Sequence, residues 1–212
     1  MLRSRSAARL ALLFLVPAAP LAAGEAPRSA SWRVEPPAIA PPQVAPAFVE
    51  RPRAMELPAD VRAWFRNPDG SCVQCSIGMC GVWSNVPAAG TLLWDTPYGR
   101  AERGGAWPSR TADYARRRGI ALYNVTGATT LDWLAWAGRT GRYAAFAAGT
   151  AHFQTLYGYD PAARRWSVCN NNSTARIDRY DDAAFRRLHR AGGAWCVILD
   201  APPSPAVPEY RR

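Results

Sequence analysis

Between residues 57 and 200 the apolar positions keep a helical spacing in the first half and give way to strand-like runs in the second. "PADVRAWF" reads as a short lead helix, and Ser71 to about Ser84 as the next, built of small and apolar residues. "WPSRTADYARRRGI" predicts a third, with Gly119 where a helix commonly ends in a left-handed residue. "TTLDWLAWAG" predicts a fourth: Thr129 and Asp132 make a capping-box pattern, and Leu131, Leu134, Ala135 and Gly138 share one face. "YAAFAAG", "HFQTLYGY", "RWSVCN" and "AWCVIL" read as strands, with a short helix opening at Asp181 ("DDAAFRRLHR") before the last of them. Helices first and a hairpin-rich sheet after them is an α+β pattern.

Outside that domain the periodicity stops. Arg3, Arg5 and Arg9, then the apolar run Leu10 to Ala19, then "PLAAG" form a secretory signal over residues 1–23, cleaved near Ala23. The run is too short to span a bilayer. Residues 24–56 are a Pro/Ala-rich tether without apolar period, and residues 201–212 repeat that composition as a Pro-rich tail. The expectation is an exported bacterial protein, secreted or periplasmic, with no membrane span. A formal charge of +10 comes entirely from arginine. Those arginines are scattered and not interleaved with aromatics, so a solvated basic surface is expected rather than nucleic-acid binding.

Five cysteines in an exported chain leave at least one thiol unpaired within it. Three of them fall within nine residues, in "NPDGSCVQCSIGMCG". Ser71 and Gln74 make an S-x-x-Q capping box, which starts a helix at Cys72. At a helix start the free N–H groups and the macrodipole favour a thiolate, so Cys72 is expected to be acidified and to be the nucleophile. Cys75 and Cys80 lie deeper in the helix and read as core, although Cys80 is the rival nucleophile. "CVQC" also fits a dithiol redox pair, Cys72 and Cys75. A zinc site would need a second ligand pair that the spacing of Cys169 and Cys196 does not supply, so no metal and no cofactor is expected. Those two cysteines are placed in neighbouring strands, where a disulfide and two buried thiols are both open.

A thiolate nucleophile needs a base, and there are two histidines. His189, among arginines near a helix end, reads as an exposed helix residue. His152 opens a strand. If "YDPAARRW" turns a hairpin with a loop of three to five residues, His152 faces Asn170, Asn171 or Asn172 in the run "CNNNS". Asn170, on the strand face of Trp166 and Val168, is the choice for orienting the imidazole.

Cysteine at a helix start, then histidine opening a strand, then asparagine at the end of the next strand resembles the order of papain-like cysteine peptidases. The pattern from Arg66 to Asn172 is most similar to the branch that processes double-glycine leader peptides: "SCVQCSIGMCGVWSN", then "ADYARRRGI" and "TTLDWLAW", then "HFQTLYGYDPAARRWSVCNNNS". "DGSC" also resembles the ovarian-tumour deubiquitinase signature, which the remainder fits less well. The papain-like resemblance implies N-terminal helices, a nucleophile at a central helix start and an antiparallel sheet after it. It also implies roles: Cys72 as nucleophile, His152 as general base and acid, Asn170 as the orienting residue. The family places a glutamine six residues before the cysteine as oxyanion donor; Arg66 stands there, and Asn67 is the nearest amide able to replace it beside the Cys72 N–H. The expected activity is a monomeric thiol hydrolase acting on a peptide or protein substrate, at peptide or isopeptide bonds. The departure at Arg66 and the tethers at both ends motivate the alternative, a catalytically inert binding module of the same fold.

Overall fold

The computed structural model describes residues 56–94, 98 and 106–201. The signal, nearly all of the tether and the tail after Ala201 lie outside the described residues. Six helices occur among them: α1 (Ala59–Trp64), α2 (Cys72–Trp83), α3 (Pro87–Gly90), α4 (Pro108–Arg118), α5 (Thr130–Arg139) and α6 (Asp182–Ala191). Six strands make one sheet: β1 (Leu122–Thr126), β2 (Ala144–Ala147), β3 (Phe153–Asp160), β4 (Arg165–Cys169), β5 (Asp178–Asp181) and β6 (Trp195–Leu199). The order is β1-β6-β2-β3-β4-β5 and every neighbouring pair is antiparallel. The α+β expectation stands.

Successive strand residues point to opposite faces, and here both faces are apolar. Ala145, Ala147, Phe153, Tyr157, Cys169, Val197 and Leu199 join the core that contains α2. Ala144, Phe146, Leu156, Trp166, Val168, Cys196 and Ile198 join the core under α5 and α6. Helix α2 is therefore covered all round: each residue from Val73 to Trp83 is buried, and small side chains make this possible. A Cβ at Gly81 would collide with the backbone of Ala89 and Gly90, so glycine there lets α3 lie against α2. On the other face, a Cβ at Gly138 would meet the Tyr159 backbone N at 2.6 Å, which seats α5 on β3.

Four expectations need correction. The first concerns strands β1 and β5, which the apolar pattern does not mark; they are the two edges of the sheet. The second concerns Thr129, which stands at the N-cap of α5 without capping through its side chain. The third concerns Cys169 and Cys196, which are free thiols on β4 and β6. Two strands separate them, about 14 Å at ~4.8 Å per strand, beyond disulfide reach. The fourth concerns His189, which is not an exposed helix residue but only 1% exposed. Its Nδ1 is 2.9 Å from the Ala147 carbonyl oxygen and its Nε2 2.8 Å from Thr130 Oγ1, so it ties α6 to β2 and α5. Burial pushes its pKa down, opposed by the bond to Ala147.

Helix α1 has one unusual resident. Arg62 is buried, and all three of its guanidinium bonds end on carbonyl oxygens: Leu57 at 2.8 Å, Thr174 at 2.9 Å and Ala175 at 3.1 Å. It fastens the chain before the nucleophile helix to the loop after β4.

Candidate active site

Helix α2 begins at Cys72, as the spacing predicts, but not through the capping box. Ser71 Oγ donates to Asp69 Oδ1 at 2.6 Å, and Gln74 Nε2 donates to the Tyr98 carbonyl at 3.1 Å. Neither side chain closes on the helix terminus. Cys72 is half-buried, and the other four cysteines are buried.

The thiol is not acidified. Burial pushes the Cys72 pKa up, and the N–H groups of Phe153, Val73 and Cys72 itself pull it down without prevailing. The helix start lies under the beginning of β3, where desolvation of a thiolate outweighs the N–H groups that would favour it. Cys75 is pushed up to about 12 by burial, with Cys72 and Asp69 adding to the effect. Cys80 is 1% exposed and raised further by burial, with an Ala145 backbone bond working the other way, so the rival nucleophile lies inside the core.

The Phe153 N–H that faces the Cys72 sulfur belongs to the residue after His152. The Cys72 sulfur thus lies beside the backbone of the residue that follows His152, at the start of β3. His152 follows a tight connection from β2 in which Ala148 N donates to the His152 carbonyl at 2.9 Å. Within it Ala151 takes φ +53°, a left-handed backbone that costs energy for a residue with a Cβ. His152 Nε2 lies 3.0 Å from Asn170 Oδ1. The proton on that bond can be placed. Asn172 N donates to the same Oδ1 at 2.9 Å, so that atom is an acceptor and Nε2 must carry the hydrogen. In the neutral ring Nδ1 is then the unprotonated nitrogen.

The β3–β4 hairpin explains why Asn170 is reached. Its loop is Pro161–Arg164, within the expected length, and a bulge between Leu156 and Gly158 shifts the register. Toward the site Thr155 pairs with Cys169. Extending that register would oppose His152 to Asn172, so the bond to Asn170 runs diagonally.

The other two asparagines have separate partners. Asn172 Oδ1 accepts from Asn67 Nδ2 at 3.0 Å, and Asn67 Oδ1 accepts from Gly70 N at 3.0 Å. The second hydrogen of the Asn67 amide is left over from this pair of bonds. Asn171 is wholly buried, and its Nδ2 lies 2.9 Å from the Cys72 carbonyl oxygen, 3.0 Å from Phe153 O and 3.0 Å from Ser76 Oγ. Its main-chain carbonyl accepts from Asn67 N at 2.8 Å. Sequence reasoning ranked Asn171 only as a substitute for Asn170; the unusual run of three asparagines was the available signal. Among the described residues no group of three His, Cys, Asp or Glu side chains could hold a metal ion, and no helix is long and apolar enough to cross a membrane.

A polarised sulfur, an imidazole with one free nitrogen and a fixed amide are the parts needed for nucleophilic attack on a carbonyl. No family model and no curated protein matches the chain. Solved structures do. A double-glycine motif protease from an AMS/PCAT transporter, crystallised with its leader peptide, is 14% identical, with a TM-score of 0.43 over 65% of this chain and 87% of that one. The peptidase domain of Streptococcus mutans ComA is 12% identical, with a TM-score of 0.38 over 53% and 88%. The peptidase domain of Streptococcus ComA, a bi-functional ABC transporter of a quorum-sensing pathway, is 12% identical, with a TM-score of 0.42 over 64% and 95%. These three, a double-glycine motif protease and two peptidase domains, are what this chain is similar to, at 12–14% identity.

Proposed function

We propose that this chain is an exported, monomeric thiol hydrolase of the papain-like kind, acting on peptide or isopeptide bonds of a peptide or protein substrate. What supports the reading is that the Cys72 sulfur faces the Phe153 N–H, one residue after His152, and that His152 Nε2 lies 3.0 Å from Asn170 Oδ1. Because burial raises the Cys72 pKa, the resting thiol keeps its proton until His152 Nδ1 accepts it. The sulfur then attacks the substrate carbonyl, and the developing oxyanion takes the Cys72 N–H and the remaining hydrogen of the Asn67 amide. His152 returns the proton to the leaving amine, and then deprotonates the water that cleaves the thioester. Asn170 holds the ring in the required tautomer throughout.

The raised Cys72 pKa and Arg66 in place of an upstream glutamine favour a second reading, an inert binding module. The redox reading has less support, since Cys75 is buried with its pKa at about 12 and contributes little thiolate. The test is turnover of a peptide library by the mature chain and by Cys72→Ala. Loss of all hydrolysis with an unchanged circular-dichroism spectrum is expected. Turnover that survives in the variant overturns the assignment of Cys72, and a wild-type chain without turnover favours the binding module.

A further inference from the structure

The geometry points to Asn171 as a positioning residue that sets the nucleophile against the base. The inference rests on the thiol-hydrolase reading and goes beyond its three roles. The hydrogen bonds of the Asn171 side chain go to the Cys72 carbonyl, the Phe153 carbonyl and Ser76 Oγ, not to the thiol or the imidazole. The Asn171 amide nitrogen reaches the main-chain carbonyl of Cys72 at 2.9 Å and that of Phe153, the residue after His152, at 3.0 Å. Two hydrogens on one buried nitrogen therefore join the first residue of α2 to the first residue of β3. Ser76 Oγ, one helical turn further along, shares the same nitrogen at 3.0 Å. The main-chain carbonyl of Asn171 accepts the N–H of Asn67, so the candidate oxyanion loop is joined to the same residue through its backbone.

The amide is retained at a cost. Asn171 Oδ1 is buried without a hydrogen-bond partner, and a buried acceptor left unpaired is destabilising. An apolar side chain of similar shape would remove that oxygen. A residue kept only for stability has little reason to carry it, whereas one kept to bridge two carbonyls needs the nitrogen and brings the oxygen with it. Helix α2 and strand β3 otherwise meet here through apolar packing, which is non-directional and tolerates small sliding. Reaction geometry does not tolerate it: misplacement of reacting groups by about 1 Å can cost on the order of 100-fold in rate.

The experiment is iodoacetamide alkylation of Cys72 in the reduced mature chain from pH 5 to pH 9, read by peptide mass spectrometry. Wild type, His152→Ala and Asn171→Leu are compared, with melting temperature recorded for each. A rate component near neutral pH that is present in wild type and absent in His152→Ala is expected. Asn171→Leu should fall to the His152→Ala rate, at least tenfold below wild type at pH 7, while remaining folded at the assay temperature. A wild-type pH profile in Asn171→Leu overturns the positioning role and leaves the hydrolase reading intact. Identical profiles for wild type and His152→Ala overturn the hydrolase reading itself. Asn171→Ser, which keeps one donor, is read in the same way if Asn171→Leu does not fold. Failure of both to fold makes Asn171 a structural residue only and overturns the inference.

Discussion

Arg62 offers the most quantitative test of how the site is held. Its guanidinium bonds the carbonyls of Leu57, Thr174 and Ala175, so α1 and the loop that carries the asparagines are fastened by one side chain. Arg62→Met keeps the aliphatic stem and removes all three bonds. Ala175 is exposed and its carbonyl can turn to water, whereas Leu57 and Thr174 are buried and theirs cannot. Two stranded buried acceptors at about 1.5 kcal/mol each give a loss of about 3 kcal/mol. Removing a buried charge returns part of its desolvation cost, so this is the upper end. For a domain of this size each kcal/mol moves the melting temperature by about 2–4 °C, and a fall of roughly 6–12 °C is expected. Urea unfolding followed by tryptophan fluorescence measures the free energy directly. Arg62→Lys should recover little, because one ammonium cannot reach three carbonyls in a fixed fork. A loss below about 0.5 kcal/mol for Arg62→Met would refute the reasoning, since the carbonyls would then be satisfied without the arginine.

Two further predictions follow from buried groups. His189 has a depressed pKa in the folded chain, so below its unfolded value of about 6.5 the unfolded state binds more protons. Stability is therefore full above pH 6.5 and falls as pH drops through that value toward the folded pKa; a urea midpoint that is the same at pH 7.5 and pH 5.5 would contradict this. The thiols should separate by reactivity. With pKa values of about 12 for Cys75 and about 11 for Cys169, their thiolate fractions at pH 8 are about 10⁻⁴ and 10⁻³. Folded protein should take up iodoacetamide at Cys72 first and unfolded protein at all five cysteines; early labelling of Cys75 would place it nearer the surface than described.

The sequence was most legible where one local rule was sufficient. The helix start at Cys72, the hairpin from His152 to Asn170 and the apolar runs of β2 and β6 follow from local pattern alone. The two strands that escaped notice are the edges. β1 has only Val125 buried, and β5 alternates charges with partly buried residues, so each is defined by backbone pairing to one neighbour instead of an apolar stripe. Ser71 and Gln74 fit a capping pattern, yet Asp69, two residues away, and the distant Tyr98 carbonyl take their side chains, and local sequence shows only the first of these competitors. The thiol's raised pKa was hidden for a related reason. Helix position is read from neighbours in sequence, whereas desolvation depends on what folds over the sulfur. His189 was misjudged because its flanking arginines are exposed, and only the packing of α6 on β2 shows that the histidine points the other way.

Strand β6 lies between β1 and β2, although it is the last strand among the described residues. It pairs antiparallel with both, and β1 and β2 cannot complete their ladders until it arrives. The hairpin that carries His152 and Asn170 needs only local closure, so it can form long before the interior of the sheet is zipped shut. The domain is thus fastened by its final segment, like a keystone set after the arch. A truncation before Trp195 would leave β1 without a partner and β2 paired on one side only, with open backbone edges on both. Such a fragment would keep the local chemistry of the hairpin and lose its solubility first.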